Sequence, residues 1–331
     1  MAATLAFKPV SKHSNLMQSF NPNYSRGFVM PYEEVFAQIS NRRLLTDDGH
    51  QLAYQVIGDG DETLVLANGL GGRLYAWLGL IERLNPRYRI ISWDYRGLFE
   101  SEGASPDLSV HRHASDLLAI LNEEQIEAAH LIGWSMGVQV SLEVALRQAQ
   151  RVASLVLING TYGQVFSTAF QPFLQLPRQP IVLHGLMEQL RNRPTLLRFT
   201  RKGVRWPTEA LFWLRKATLG RRQSTLTLGL RQYFRDVSTT DTRAYLQLFQ
   251  ELDAHCVYHR LSSVRAPTTV ISGGFDYLTP AAQSRQMARR IPNAQHVNLA
   301  MGTHFVLLER PEAVYQAVNK HLTQSRTMTG E

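Results

Sequence analysis

Ser135 stands in the pentad Gly133-Trp134-Ser135-Met136-Gly137, between an apolar run that ends at Ile132 and a stretch with helical spacing. A serine at a sharp strand-to-helix turn is thrust outward, with free N–H groups of the helix start beside it. The flanking glycines suit a turn in which neighbouring backbone comes too close for a Cβ. The chemistry this pattern serves is nucleophilic attack on an acyl carbon. A hydroxyl is a weak nucleophile and needs a base. Of the eleven histidines, His304 has the right setting, in Met301-Gly302-Thr303-His304-Phe305 between the last expected strand and the last expected helix. The base needs an acid to fix its tautomer and stabilise the imidazolium. Asp276 follows an expected strand in Gly273-Gly274-Phe275-Asp276-Tyr277, whereas the end of the preceding strand holds the uncharged Asn159. The chain order is thus Ser, Asp, His.

An oxyanion needs at least two donors. The N–H of Met136 is one candidate. The other is the N–H of Leu70, in the loop Asn68-Gly69-Leu70-Gly71-Gly72. Asn68, Gly69, Trp134 and Phe305 are expected to line the substrate. The other histidines sit mostly in polar or helical surroundings: His130 reads as a packed core or strand residue, His111 and His113 as solvated at a helix start, and His184 as part of an insertion, where it could line a pocket. The single cysteine, Cys256, reads as inert packing, and no internal disulfide can form.

These residues must be positioned by alternating elements. Apolar runs at 52–57, 63–67, 89–92, 129–133 and 153–158 read as strands, and 74–84, 110–121 and 136–147 as helices. Such alternation predicts parallel pairing through right-handed crossovers. Asp48-Gly49 between apolar residues predicts a hairpin ahead of them. Strands return at 268–271 and 295–299, with helices from Pro280 and Pro311. Thr279 is expected to cap the first of these through its hydroxyl. Residues 161–260 read as a helical insert between core segments 42–160 and 261–323. Residues 1–41 read as an N-terminal extension and 324–331 as a tail.

Taken together, these segments resemble the α/β-hydrolase superfamily, over roughly 42–160 and 262–323. The resemblance rests on the Asp48-Gly49 hairpin, the Asn-Gly-Leu-Gly-Gly loop, Asp94-Tyr95-Arg96-Gly97, the Gly-Trp-Ser-Met-Gly elbow, Gly274-Phe275-Asp276, and His304-Phe305 followed by Glu309-Arg310-Pro311-Glu312. It implies a mostly parallel eight-stranded sheet flanked by helices, with a cap inserted after the sixth strand. The family usually has histidine where Asn68 stands, a small residue near Phe99, and often a further glycine where Val138 stands. Serine at the elbow argues against the haloalkane dehalogenase and epoxide hydrolase branches, which use aspartate there.

The 331 residues carry a net charge of +8, with 44% hydrophobic and 19% charged residues, ordinary for a globular protein. The excess charge is concentrated between Gln164 and Arg235, which hold thirteen Lys/Arg against two acids. Arginines and lysines from Arg191 to Arg222 interleave with Trp206 and Trp213, a composition that could dock on an anionic membrane surface or serve only as a solvated face. No nucleic-acid motif accompanies them. No apolar run is long enough to span a membrane, and Lys8, Pro9 and Lys12 interrupt the N-terminal apolar stretch, which argues against a secretory signal. A single thiol fits a reducing, cytoplasmic setting, with the basic insert leaving a peripheral membrane location open. Aromatic residues of the insert, Phe166, Phe170, Phe173, Phe199, Trp206, Phe212, Trp213, Tyr233 and Phe234 among them, predict a largely apolar pocket. The expected activity is hydrolysis of a lipophilic carboxylic ester, esterase- or lipase-like, with no metal or organic cofactor implied. Two other readings stay open: a carbon–carbon bond hydrolase or lyase on the same triad, and a non-catalytic binding protein on this scaffold. An acidic or hydroxylated pocket would favour the first of these.

Overall fold

The computed structural model describes residues 35, 37–101, 103, 105–169, 179–193 and 225–329. Among them, eight strands form one sheet in the order β1-β2-β4-β3-β5-β6-β7-β8. The strands are β1 Ser40–Leu45, β2 Gln51–Ile57, β3 Glu62–Ala67, β4 Tyr88–Trp93, β5 Ala129–Trp134, β6 Val152–Ile158, β7 Thr268–Gly273 and β8 Gln295–Leu299. β2 runs antiparallel to both β1 and β4, and every other pair is parallel. The helices are α1 Leu78–Leu84, α2 Val110–Glu123, α3 Met136–Arg147, α4 Gln179–Asn192, α5 Thr225–Thr239, α6 Thr242–Ala254, α7 Ala281–Arg290 and α8 Pro311–Thr329.

The central strands are apolar at nearly every position because both faces of the sheet are covered. β3 shows how this works. Val65 joins the buried cluster under α2, α3 and α7, with Leu117, Val140 and Met287. Its neighbours Leu64 and Leu66 point the other way, into the cluster under α1 and α8, with Ile81, Val314 and Val318. This is the two-residue alternation of a strand read on two cores at once. Strand β3 also marks the topological switch. It pairs with β4 on one side and with β5, reached by a return across the sheet, on the other. The loops leaving β3 and β5 therefore lie side by side at the carboxyl edge, where such sheets bind ligands.

The Asp48-Gly49 hairpin is present, with Gly49 at φ +80° in its turn. Its first strand begins at Ser40, two residues ahead of the expected core boundary. Asp48 also leaves the turn to meet Arg96, at 2.7 and 2.9 Å. Arg96 is fully buried and forks onto Asp116 of α2 at 2.6 and 2.7 Å. A buried guanidinium with two carboxylates fixes hairpin, β4 and α2 together. Two expectations about the ends give way. His113, expected in solvent, is fully buried in α2, because the helix turns that face inward with Val110 and Leu117. The expected tail from 324 instead continues α8 to Thr329, since Val314, Val318, Leu322 and Ser325 keep burying one face at helical spacing.

Between β6 and β7 the described chain is helical: a single turn at Val165–Thr168, then α4, α5 and α6. Most of the basic stretch, and Phe170, Phe173, Phe199, Trp206, Phe212 and Trp213, lie outside the described residues. No helix among the described residues is long and apolar enough to cross a membrane.

Candidate active site

Ser135 sits between β5 and α3 at φ 54°, ψ −112°. This conformation is rare for a residue with a Cβ and is held by its surroundings. Its N–H donates to Ile158 O at 3.0 Å, and its carbonyl accepts from Val138 N–H at 3.1 Å. The elbow glycines are required by contact. A Cβ on Gly133 would lie 2.4 Å from Gly137 O, and one on Gly137 would lie 2.0 Å from Ala67 O. Val138, where a further glycine is common in the family, is accommodated because Gly160 has no Cβ: one placed there would fall 2.3 Å from the valine side chain.

His304 Nε2 lies 3.0 Å from Ser135 Oγ, and His304 Nδ1 lies 2.9 Å from Asp276 Oδ2. Histidine and acid are both buried. Asp276 Oδ1 accepts the N–H groups of Leu278 and Thr279, each at 2.9 Å. The Thr279 hydroxyl donates to Asp276 Oδ2 at 2.7 Å. That corrects the expected role of Thr279. The cap position of α7 is Pro280, and the threonine hydroxyl is taken by the carboxylate, a stronger acceptor than a neutral group. Two further side chains steady the histidine loop. Glu309 accepts from Thr303 N–H at 2.7 Å and from its hydroxyl at 2.6 Å. Asn159 donates to Thr303 O at 2.6 Å and accepts from Gly273 N–H at 2.7 Å. The uncharged residue at the end of β6 thus ties the acid's strand to the base's loop.

The loop after β3 closes in a turn, with Gly72 N–H donating to Gly69 O at 2.9 Å. Gly71 occupies the position that needs a positive φ, at +76°. The loop is pinned from two sides. Tyr95 donates to Asn68 O at 2.8 Å, and Tyr233 of α5 donates to Leu70 O at 3.0 Å. Met136 opens α3, so its N–H has no partner within the helix.

The four residues expected to line the substrate divide. Asn68 is buried and faces inward: both amide protons go to Ser92 Oγ and Trp93 O, at 3.1 and 2.8 Å, and its oxygen accepts Trp77 Nε1 at 2.7 Å. It braces the loop in place of lining a pocket. Trp134 is buried beneath Gly69 and Gly72, and its indole N–H donates to His304 O at 3.0 Å. Phe305 is half-buried beside Tyr233, ring centroids 5.2 Å apart, on the outer side of Trp134. Phe99, at φ 51°, carries the Arg73 guanidinium 4.7 Å over its ring.

Where it is described, the insertion carries acids as well as arginines. α5 brings Tyr233 and Asp236, and α6 brings Tyr245, whose ring lies beside Gly71. Burial pushes the Asp236 carboxyl up to about 6, against the pull of Arg73. Its Oδ2 and the buried Tyr75 hydroxyl have no hydrogen-bond partner among the described residues. Tyr233 was legible only as one of many aromatics, and Glu309 only as part of a motif. His184 pairs with Asp253 at 2.8 Å and packs on Phe166. His130 is buried in β5 against Ser154, as expected. Cys256 is exposed and not packed. Arg191 reaches Gln250 and Gln247 of α6, at 2.7 and 3.3 Å.

The comparisons with known proteins agree with this frame. The family model for the alpha/beta hydrolase fold matches residues 62–311. The chain therefore belongs to the α/β-hydrolase family, and hydrolysis is the activity that its relatives' names carry. A protein of Klebsiella pneumoniae (strain 342) named "Putative carbamate hydrolase RutD" is 29% identical over 248 residues, covering 74% of this chain and 85% of that protein. A hydrolase from Pseudomonas aeruginosa PA01 superposes with a TM-score of 0.69 at 24% identity, covering 86% of this chain and 98% of that one. The enol-lactonase from Burkholderia xenovorans LB400 gives 0.67 at 22%, covering 85% and 100%.

Proposed function

We propose that this chain is a serine hydrolase that cleaves carboxylic esters of lipophilic acyl or aryl groups through an acyl-enzyme. The observation that carries the reading is the relay Asp276–His304–Ser135, with contacts of 2.9 and 3.0 Å. His304 takes the Ser135 proton as Oγ attacks the ester carbonyl. The N–H groups of Leu70 and Met136 receive the oxyanion, where preorganised donors are worth most. Collapse of the tetrahedral adduct breaks the C–O bond to the alcohol, which leaves with the proton His304 holds. Water, deprotonated by His304, then attacks the acyl-enzyme and releases the acid. Asp276 stays ionised and holds Nδ1–H toward itself. The helical insertion acts as a cap whose α5 grips the oxyanion loop through Tyr233. In this proposal the protein works in the cytoplasm, as its single thiol suggests, which cell fractionation would test.

A second reading has its own support. Carbamate hydrolysis is in the relatives' printed name, while the acid and hydroxyls that Asp236, Tyr75, Tyr233 and Tyr245 put near the loop are the lining that would favour a carbon–carbon bond hydrolase or lyase on the same triad. The same relay would serve carbamate hydrolysis, with the alcohol leaving first and a carbamoyl-enzyme formed in place of the acyl-enzyme. The test is a series of p-nitrophenyl esters of rising acyl length beside a p-nitrophenyl carbamate, followed by stopped flow. A burst of nitrophenolate with an optimum acyl length is expected. Turnover of the carbamate alone would favour the second reading, and turnover of neither would sink both.

A further inference from the structure

On the face of the sheet covered by α2 and α3, three side chains from three separate segments converge. His111 opens α2, Glu143 lies about two turns along α3 from the elbow, and His255 is the residue that ends α6. His111 Nδ1 is 2.8 Å from Glu143 Oε1, and His255 Nε2 is 3.2 Å from Glu143 Oε2. One ligand atom from each can be chosen so that all lie within 4.8 Å of one another. A metal ion with bonds of about 2.0–2.1 Å to His nitrogen and carboxylate oxygen sets neighbouring donor atoms roughly 3 Å apart. The 2.8 and 3.2 Å contacts to the two Glu143 oxygens are of that size, and an ion would draw the three donors, now within 4.8 Å of one another, closer together.

The hydrogen bonds of His255 fix which of its nitrogens faces the carboxylate. Its Nδ1 lies 3.0 Å from Gln139 Oε1, and the same amide turns its N–H₂ to Leu252 O at 3.2 Å. Gln139 Oε1 accepts only, so Nδ1 carries the proton. Nε2 then faces Glu143 Oε2 and can meet it through either a second proton or a bound cation. Glu143 and His255 are both buried, so a positive charge at this point offsets the carboxylate. His111 is exposed, and a surface cleft lined by Asp107, His111, Arg112, Ser115, Glu143 and Arg147 reaches the cluster. An ion can thus enter without opening the core.

We infer that His111, Glu143 and His255 form a binding site for a divalent transition-metal ion of the zinc class. The donor set of two imidazoles and a carboxylate suits such an ion and not magnesium or calcium, which take oxygen. The bound ion ties the end of the helical insertion to the nucleophile's own helix. It is a structural staple, remote from the Ser135 relay. Arg260, 3.7 Å from Glu143 Oε2, competes with the ion for the carboxylate.

The experiment uses the untagged full chain, stripped with a chelator and then titrated with Zn²⁺ by calorimetry and with Co²⁺ by absorption spectroscopy. Wild type should take up one equivalent that His111→Ala and His255→Gln each lose or bind at least about a hundredfold more weakly. His111 is exposed, so its variant should fold, which circular dichroism checks. Arg260→Gln should tighten the same equivalent severalfold. Stoichiometry and affinity unchanged in both histidine variants, or no Zn²⁺ uptake by wild type at tens of micromolar, would overturn the assignment.

Discussion

His304 and His255 are both buried, and each faces a carboxylate across about one hydrogen bond, yet their other nitrogens meet opposite partners. His304 turns Nδ1 to Asp276 and Nε2 to a hydroxyl, the strained Ser135. His255 turns Nδ1 to an amide oxygen and Nε2 to Glu143, whose second oxygen meets another histidine. The first arrangement is a line along which a proton can move toward a nucleophile. The second is a ring of donor atoms around a point. A histidine and an acid in contact therefore do not define a role. The third group does, together with the tautomer it enforces.

Breaking the line at its end should have the largest effect. Ser135→Ala should lower kcat on an ester substrate by about 10⁶ while leaving the circular dichroism spectrum intact. Retained turnover would show that the relay is not the engine. Asp276→Asn should follow at about 10⁴, because an amide no longer holds His304 in the tautomer that accepts the serine proton. Its pH–rate profile would show whether the base itself has changed. Glu309 touches neither substrate nor serine in this account, only Thr303. Glu309→Gln should cost about 10²-fold in kcat by letting His304 drift, with KM nearly unchanged.

A third kind of buried histidine sharpens the contrast. His321 meets the Thr269 hydroxyl, 2.9 Å from its Nδ1, and, among the described residues, no carboxylate. Burial lowers it from 6.5 to about 4. It stays neutral in the fold while the unfolded chain binds a proton from about 6.5 downward. Its contribution to stability is therefore whole above pH 6.5 and is lost as the pH falls toward 4. Urea titrations of wild type and His321→Gln should show their stabilities converging by on the order of 2 kcal/mol between pH 7 and 4. A constant gap would mean that His321 does not titrate abnormally. The smallest effect belongs to Tyr233→Phe. Losing the hydrogen bond to Leu70 O should cost about fivefold in kcat, the worth of one ordinary bond. No loss at all would uncouple α5 from the oxyanion loop.

What the sequence could and could not reveal follows from how local each signal is. Ser135, Asp276 and His304 each sit at the end of a strand, next to glycines whose spacing is dictated by contacts within a few residues or with the next strand. Such sites announce themselves. The strands and helices of the core were legible for the same reason, their boundaries shifting by one or two residues, except that the expected helix 74–84 opens as a 3₁₀ turn over Leu74–Trp77 and is α-helical from Leu78. Thr279 was misassigned because one hydroxyl could serve a helix end or a carboxylate three residues back, and only the fold decides. Asn68 matched a motif position but faces Trp77, Ser92 and Trp93, partners no local pattern names. His111, Glu143 and His255 come from three segments, and their meeting depends on how the insertion returns to α3. No spacing in the sequence encodes that.

The most direct test of Ser135 as the activated nucleophile is labelling of the wild-type protein with a fluorophosphonate, followed by mapping of the adduct by mass spectrometry. One adduct is expected, on Ser135, absent from Ser135→Ala and formed far more slowly in Asp276→Asn. An adduct on another residue, or none on Ser135 while the fold is intact, would contradict it.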